Sequence, residues 1–404
     1  MALRHTLAAL VPRTTALRIK FLRQYLYRLK TGKKKIVCAY QYKYIKKPHT
    51  HVFFGYYDIS PFNIDTDEII YNNLVEHENK MHLMLSSLSS GEEREIAETR
   101  AWNWQQGCRL RWMPNTSREV IFNDFNGSDY FSRILNVESK EERIINAPLY
   151  DITQDGHYGL SIDFDRLGVK RPGYGYTCRQ YNETEHNMTE EGIELVDLTT
   201  NKKQMILTYL DIQQIFGCNT GNLKNNYLNH LCFSPSGRQF LFFWLTVDES
   251  FHKAFLLVHN LDTHETKLLE NQEIVSHYVW KDNDNIICTA ADNMKRWHYY
   301  IYNISTGQKR LLNPSVLNVD GHPSIFSDDI ILTDTYPDLM GFQKLYFANT
   351  NKGGSEKILE IYSNCIIEGE KRTDLHPRLN SNKSLVCIDS NQNDFRNLLI
   401  ISLC

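Results

Sequence analysis

The chain has 404 residues, of which 42% are hydrophobic, 12% aromatic and 23% charged, with a formal net charge of −3. That is the balance of a folded globular protein, and away from its N-terminus the charge does not suit a binder of nucleic-acid backbone. No stretch approaches the ~20 apolar residues of a spanning helix, and nine scattered cysteines, an odd number without paired spacing, fit a reducing compartment better than a disulfide framework.

Residues 1–36 carry Arg4, Arg13, Arg18, Lys20, Arg23, Arg28, Lys30, Lys33, Lys34 and Lys35 and no acidic residue. Within LRIKFLRQYLYRLKTGKKK, residues Leu17, Ile19, Phe21, Leu22, Tyr25, Leu26 and Leu29 mostly fall at helical spacing, with cations between them. This predicts a basic amphipathic helix in a tail spanning 1–33. Two readings stay open: a helix that docks on the domain or stays in solvent, and one that lies on an anionic membrane surface. The uncharged run TLAALV is shorter than a secretory core of ~7–15 residues, so the expected location is the cytoplasm, with membrane association through residues 1–36 as an open partner.

From residue 34 onward the pattern repeats. Tyr56, Arg109, Leu149, His230, His277, His322 and His376 each anchor a β-like segment, a polar turn and a second β-like run. The second runs (EIIYNN, EVIFND, FLFFWL, NIICTA, DIILTD, SLVCID) are rich in β-branched and aromatic residues, as strands buried between neighbours require. Further strand-like segments such as MHLMLSSL, YFSRILNV and HYYIYNI end in turn sequences. The anchors are mostly spaced at the ~40–50 residues of a propeller blade, and one long step marks an insertion at 164–226. The fold class is therefore all-β, a seven-bladed β-propeller over 34–404. Its last unit is one strand short, and KKIVCAYQYKYI at 34–45 is expected to complete it, which removes an exposed sheet edge.

Inner strands line a propeller's central channel, so residues at one phase converge on its axis. His230, His277, His322 and His376 are thus candidate ligands for a divalent metal, Mn, Zn or Fe, although a repeat-position histidine also serves as a hydrogen bond between blades. Asp320, Asp334 and Asp374 sit in DGHPS, DTYPD and DLHPR and can orient the histidines or cap turns. The insertion segment DFDRLGVKRPGYGYTCRQYN is too polar for core and is expected to cover one mouth, beside WNWQQGCRLRW. Arginine recognises carboxylates in bidentate fashion, and tyrosine offers a stacking face and a proton. Tyr56, Arg111, Tyr176, Asp334 and Tyr336 are the candidate substrate-binding residues, and the pocket they suggest is that of an acidic oligo- or polysaccharide.

FSPSG in the fourth unit, HPS in the sixth and the seven-unit pattern resemble oligogalacturonate lyases and propellers of bacterial surface-polysaccharide gene clusters, over residues 34–404. The resemblance implies a channel metal, typically manganese, and β-elimination on a uronic-acid glycan with an arginine as base. The resemblance does not carry that arginine over to a matching position; Arg171 in RPGYGY and Arg109 at its blade anchor are the catalytic candidates by position, with Tyr174 as an alternative base. The chain departs from the lyases in lacking a His-x-His pair in its sixth unit and an obvious glutamine ligand. The alternative is a non-catalytic propeller that binds a glycan or a protein in surface-polysaccharide biosynthesis. A hydrolase using two of Asp58, Asp163, Asp165 and Asp334 ranks third, since no separation between carboxylates is readable from sequence.

Overall fold

The structure is a computed structural model that describes residues 13–216, 223–247, 252–271 and 274–403. It is an all-β, seven-bladed propeller. Blade one is built from Thr50–Phe53, Glu68–Val75, Met81–Ser87 and Glu93–Thr99, and blade two from Arg111–Trp112, Glu119–Phe125, Tyr130–Asn136 and Glu142–Ile145. Blades three to seven follow the same antiparallel order, with inner strands at Asp151–Ile152, Asn226–Phe233, Val275–Trp280, Ser324–Ile325 and Arg378–Leu379. The second strands are the continuous apolar runs read from sequence. Ile69, Ile70, Val120, Phe240, Phe242, Ile286, Leu332, Val386 and Ile388 are all buried, because both faces of each blade meet a neighbour.

The turns between the two outer strands recur as well. Asn136, Asp197 and Asn260 each accept two backbone N–H groups from the turn that follows, at 2.8–3.0 Å. Lys140, Asn201 and His264 then take left-handed backbone conformations, so one side-chain-capped turn closes three successive blades.

Closure divides the segment at 34–45 in two. Gln41–Ile45 pairs with Asn397–Ser402 and completes blade seven as expected, while Ile36–Cys38 adds a fifth strand to blade six. The stretch 164–226 also divides. Gly192–Asp197 and Lys203–Thr208 are the outer strands of blade three, so the added chain is residues 162–191, with helix α2 (Phe164–Lys170), and, among the described residues, 209–216 and 223–225, with helix α3 (Tyr209–Ile215). Anchor spacing alone does not separate these two strands, GIELVD and KQMILT, from the loops on either side of them. The N-terminal helix α1 (Arg13–Thr31) lies on blade six: Arg23 Nη2 donates to Leu339 O at 2.9 Å, Tyr362 OH donates to the fully buried Gln24 at 3.1 Å, and Arg28 stacks 4.0 Å over the Tyr362 ring. No helix of the structure, among the described residues, is long and apolar enough to cross a membrane.

Blade one breaks the pattern. Phe53 pairs with Asn72 and Phe62 bridges to Ile69, so residues 54–61 stand opposite only two residues of the second strand. This large bulge throws Tyr56, Tyr57 and Asp58 into the channel. It turns at Gly55, whose φ is +132° and whose missing side chain leaves room for the Gln106 backbone, 2.9 Å from where a Cβ would lie.

A buried ion pair secures the seam where the last blade meets the first. Arg378 and Asp389 are 3.1 Å apart with both side chains out of solvent, and Asp389 accepts Phe54 N at 3.1 Å. Removing one partner strands the other charge, so Asp389→Ala is expected to lower unfolding stability by about 3–5 kcal/mol, read as a shifted urea midpoint. A midpoint within error of the parent would show that water reaches Arg378.

Candidate functional site

The anchors face one another around the bulge. The Tyr56 ring lies 5.0 Å from the rings of His230 and His376, 6.3 Å from His322 and 6.5 Å from His277, centroid to centroid. Tyr57 lies 5.1–6.2 Å from the same four. Arg109, His230 and His376 all hold left-handed backbone conformations, at φ 57°, 51° and 48°. Such geometry costs of order 1–3 kcal/mol per residue. At His230 it coincides with a register shift between Asn229 and Cys232.

The four histidines do not form one ring. His277 and His322 are 4.0 Å apart and His322 and His376 4.4 Å, so three make a cluster, while His230 lies beside both tyrosines and stacks on Tyr278 at 4.2 Å. The carboxylate of Asp334 organises the cluster: it accepts His322 N at 2.8 Å, His322 Nδ1 at 2.9 Å and His376 N at 3.2 Å. His376 Nδ1 donates to Gly55 O at 2.7 Å. In the neutral rings, with both Nδ1 atoms carrying the proton, each Nε2 presents a lone pair, and both Nε2 atoms are buried without a hydrogen-bond partner.

Asp374 completes a candidate ligand group with these two imidazoles. Ligand atoms of His322, Asp374 and His376 all lie within 4.8 Å of one another, in fully buried surroundings. Two imidazole nitrogens and a carboxylate suit Mn, Zn or Fe, and the two unpaired Nε2 atoms are what such an ion would satisfy. The fit is therefore good. Among the described residues two other groups come as close, but His82 with Glu95 and Glu98 is largely exposed and Asp163 with His186 and Glu191 half-buried; Asp163 is occupied in capping α2.

Of the three aspartates read as orienting groups, two take that role. Asp320 lies 3.1 Å from His277 Nδ1 and Asp334 holds His322, whereas Asp374 joins the donors. Burial alone would lower His322, yet Asp334 outweighs it and the imidazole is raised. Burial and the neighbouring His322 push His277 and His376 down.

A polar rim surrounds this cluster. The Tyr336 ring is 5.8 Å from His322. Arg372 donates to Tyr174 OH at 2.7 Å and to Asp374 at 3.1 Å, and Arg171 lies 5.3 Å over the Tyr174 ring. Arg372 escaped the sequence reading, although its place two residues before Asp374 in KRTDLHPR was the available signal. Four expected site residues do other work. The Arg109 guanidinium is spent on Asp58 (2.8 Å) and Tyr150 O (2.7 Å), so it is neither a base nor free for substrate. Arg111 pairs with Asp151 at 2.6 Å. Tyr176 is core, stacked on Phe164 at 4.4 Å with its hydroxyl taken by Asn123. Asp334 is committed to the histidines rather than to a ligand.

His230 has a separate energetic consequence. Both its ring nitrogens lack partners, and burial holds it neutral, down at about 3. The unfolded chain takes up that proton near the ordinary ~6.5, so between about 6.5 and about 3 the unfolded state binds more protons and stability is lost as pH falls. His230→Phe keeps the stack on Tyr278 and is expected to make the urea midpoint fall less steeply across that window. An unchanged slope would mean that the folded protein protonates His230.

No model of a known protein family matches the chain, and no curated protein does. Solved structures do match its fold. An oligogalacturonate lyase in complex with manganese is similar at a TM-score of 0.66 and 14% identity, over 91% of this chain and 94% of that one. An oligogalacturonate lyase from Vibrio parahaemolyticus is similar at 0.64 and 13%, over 92% and 99%. The chain thus shares the seven-bladed propeller of the oligogalacturonate lyases along nearly its whole length.

Proposed function

We propose that the protein holds a divalent metal at His322, His376 and Asp374 and cleaves a uronate-containing glycan by β-elimination. The observation that carries this reading is the buried group of His322, Asp374 and His376, whose ligand atoms lie within 4.8 Å of one another, together with the two Nε2 atoms left without hydrogen-bond partners. The similarity to a lyase solved with manganese supports it.

Bound there, a divalent ion would supply Lewis acidity toward a substrate carboxylate. The chain's own residues do the rest. Arg171 and Arg372 border the same space and recognise the uronate; burial opposes their charge, but Tyr174 beside both and Asp374 beside Arg372 raise their pKa, so both stay cationic. That same shift removes Arg171 from the role of base, and Tyr174, whose hydroxyl accepts from Arg372, is no better placed. His277 suits the task. It is neutral through burial, its Nδ1 is held by Asp320, and its Nε2 is left to take the C5 proton. The electrons of the C5–H bond form the C4–C5 double bond as the C4–O bond breaks. Burial, reinforced by Asp374, keeps the Tyr336 phenol protonated, and that proton goes to the departing glycosidic oxygen.

His322→Ala and His376→Ala are each expected to lose the metal by elemental analysis, and with it the unsaturated, ultraviolet-absorbing product from polygalacturonate, while His230→Phe keeps both. His277→Ala should retain metal yet lose about 10²–10⁴-fold in kcat. Metal retained in both ligand variants, or absent from the parent, would reject the site; metal present with no product from any uronate polymer would reject the reaction alone and favour a glycan-binding propeller.

A further inference from the structure

Helix α1 has two apolar faces, and the propeller covers only one. Gln24 and Arg28 face Tyr362, and Leu17 and Phe21, which share that face by their spacing, are partly covered. On the opposite side Ile19, Leu22, Leu26 and Leu29 follow the i, i+3, i+7, i+10 spacing of a single helical stripe, and every one is more than half exposed. Arg18 flanks the stripe on one side and Arg23 and Lys30 on the other, all exposed, and the 19-residue helix contains no acidic residue. Four large aliphatic residues in register form an exposed apolar stripe of the kind that marks an interaction surface. Cations on both flanks without a compensating carboxylate make its occupant negatively charged.

We infer that α1 docks the propeller in the plane of an anionic lipid surface. The geometry is that of an interfacial helix: aliphatic side chains enter the acyl boundary while the long Arg and Lys stems reach the phosphates. The helix is not apolar enough to cross. A second contact lies next to it. Leu339, three-quarters exposed, is tied to α1 by the bonds that Arg23 and Gln24 donate to its carbonyl. It sits three residues beyond Tyr336 in the same loop of blade six. This inference stands without the lyase reading, because it rests on a different element.

The test is sedimentation of the full-length protein with vesicles of phosphatidylglycerol and phosphatidylcholine, against vesicles of phosphatidylcholine alone. Binding is expected to the anionic vesicles, to fall as salt rises, and to weaken about tenfold or more in either of two variants, Leu22→Ser with Leu26→Ser, or Arg18→Gln with Lys30→Gln. All four positions are exposed, so the propeller stays folded, and an unchanged far-ultraviolet spectrum checks this. Absence of binding to anionic vesicles overturns the inference, as does binding that neither variant alters. A concentration-dependent dimer abolished by Leu22→Ser with Leu26→Ser would overturn it too, assigning the stripe to a second copy of the chain.

Discussion

One carboxylate organises the centre of this propeller. Asp334 lies at the end of the second strand of blade six, and its two oxygens reach the backbone and Nδ1 of His322 and the backbone of His376 from the next blade. A single buried anion therefore couples two blades, sets one imidazole tautomer and helps hold the strained backbone of His376. Burying a charge is costly unless it is fully hydrogen-bonded. Here the three donors that satisfy it belong to two histidines whose rings lie 4.4 Å apart and whose Nε2 atoms are unpaired.

The bulge of blade one is the second constraint. A regular inner strand would leave the axis open, as in propellers whose channels hold water. Residues 54–61 instead fill it with the Tyr56 and Tyr57 rings, which separate His230 from Asp374 and its two histidine neighbours. Tyr57 also exchanges hydrogen bonds with the Tyr278 backbone across the channel, at 2.8 and 2.9 Å. The asymmetry of the site thus comes from one irregular blade in a ring of seven, and it divides four similar histidines into two environments.

The polar rim and the helix α1 are additions to the repeat. Residues 162–191 bring Arg171 and Tyr174 to a mouth that the loop before Arg378–Leu379 supplies with Arg372. Helix α1 sits on blade six, whose loop carries both Tyr336 and Leu339. The polar rim and helix α1 are therefore joined through a single blade.

The sequence by itself determined the architecture: the period of apolar runs, capped turns and anchors defined seven units, and the missing strand pointed to closure by the N-terminal segment. Those signals are local, since hydrophobic burial between blades acts on every second strand alike. It also marked His322, His376 and their neighbouring aspartates, because repeats expose phase. Only the tertiary structure decided the rest. Whether an anchor's side chain meets a metal, a carboxylate or a core depends on what arrives from other blades. Arg109 was lost to Asp58 because the bulge, unreadable as such in YYDISPF, carries that carboxylate to it. Tyr176 went to the core because Phe164 and Asn123 close on it, and Asp374 joined the group of His322 and His376 because a ligand atom of each comes within 4.8 Å of the others. Convergence at the axis is a property of the closed ring, and no period in one dimension encodes it.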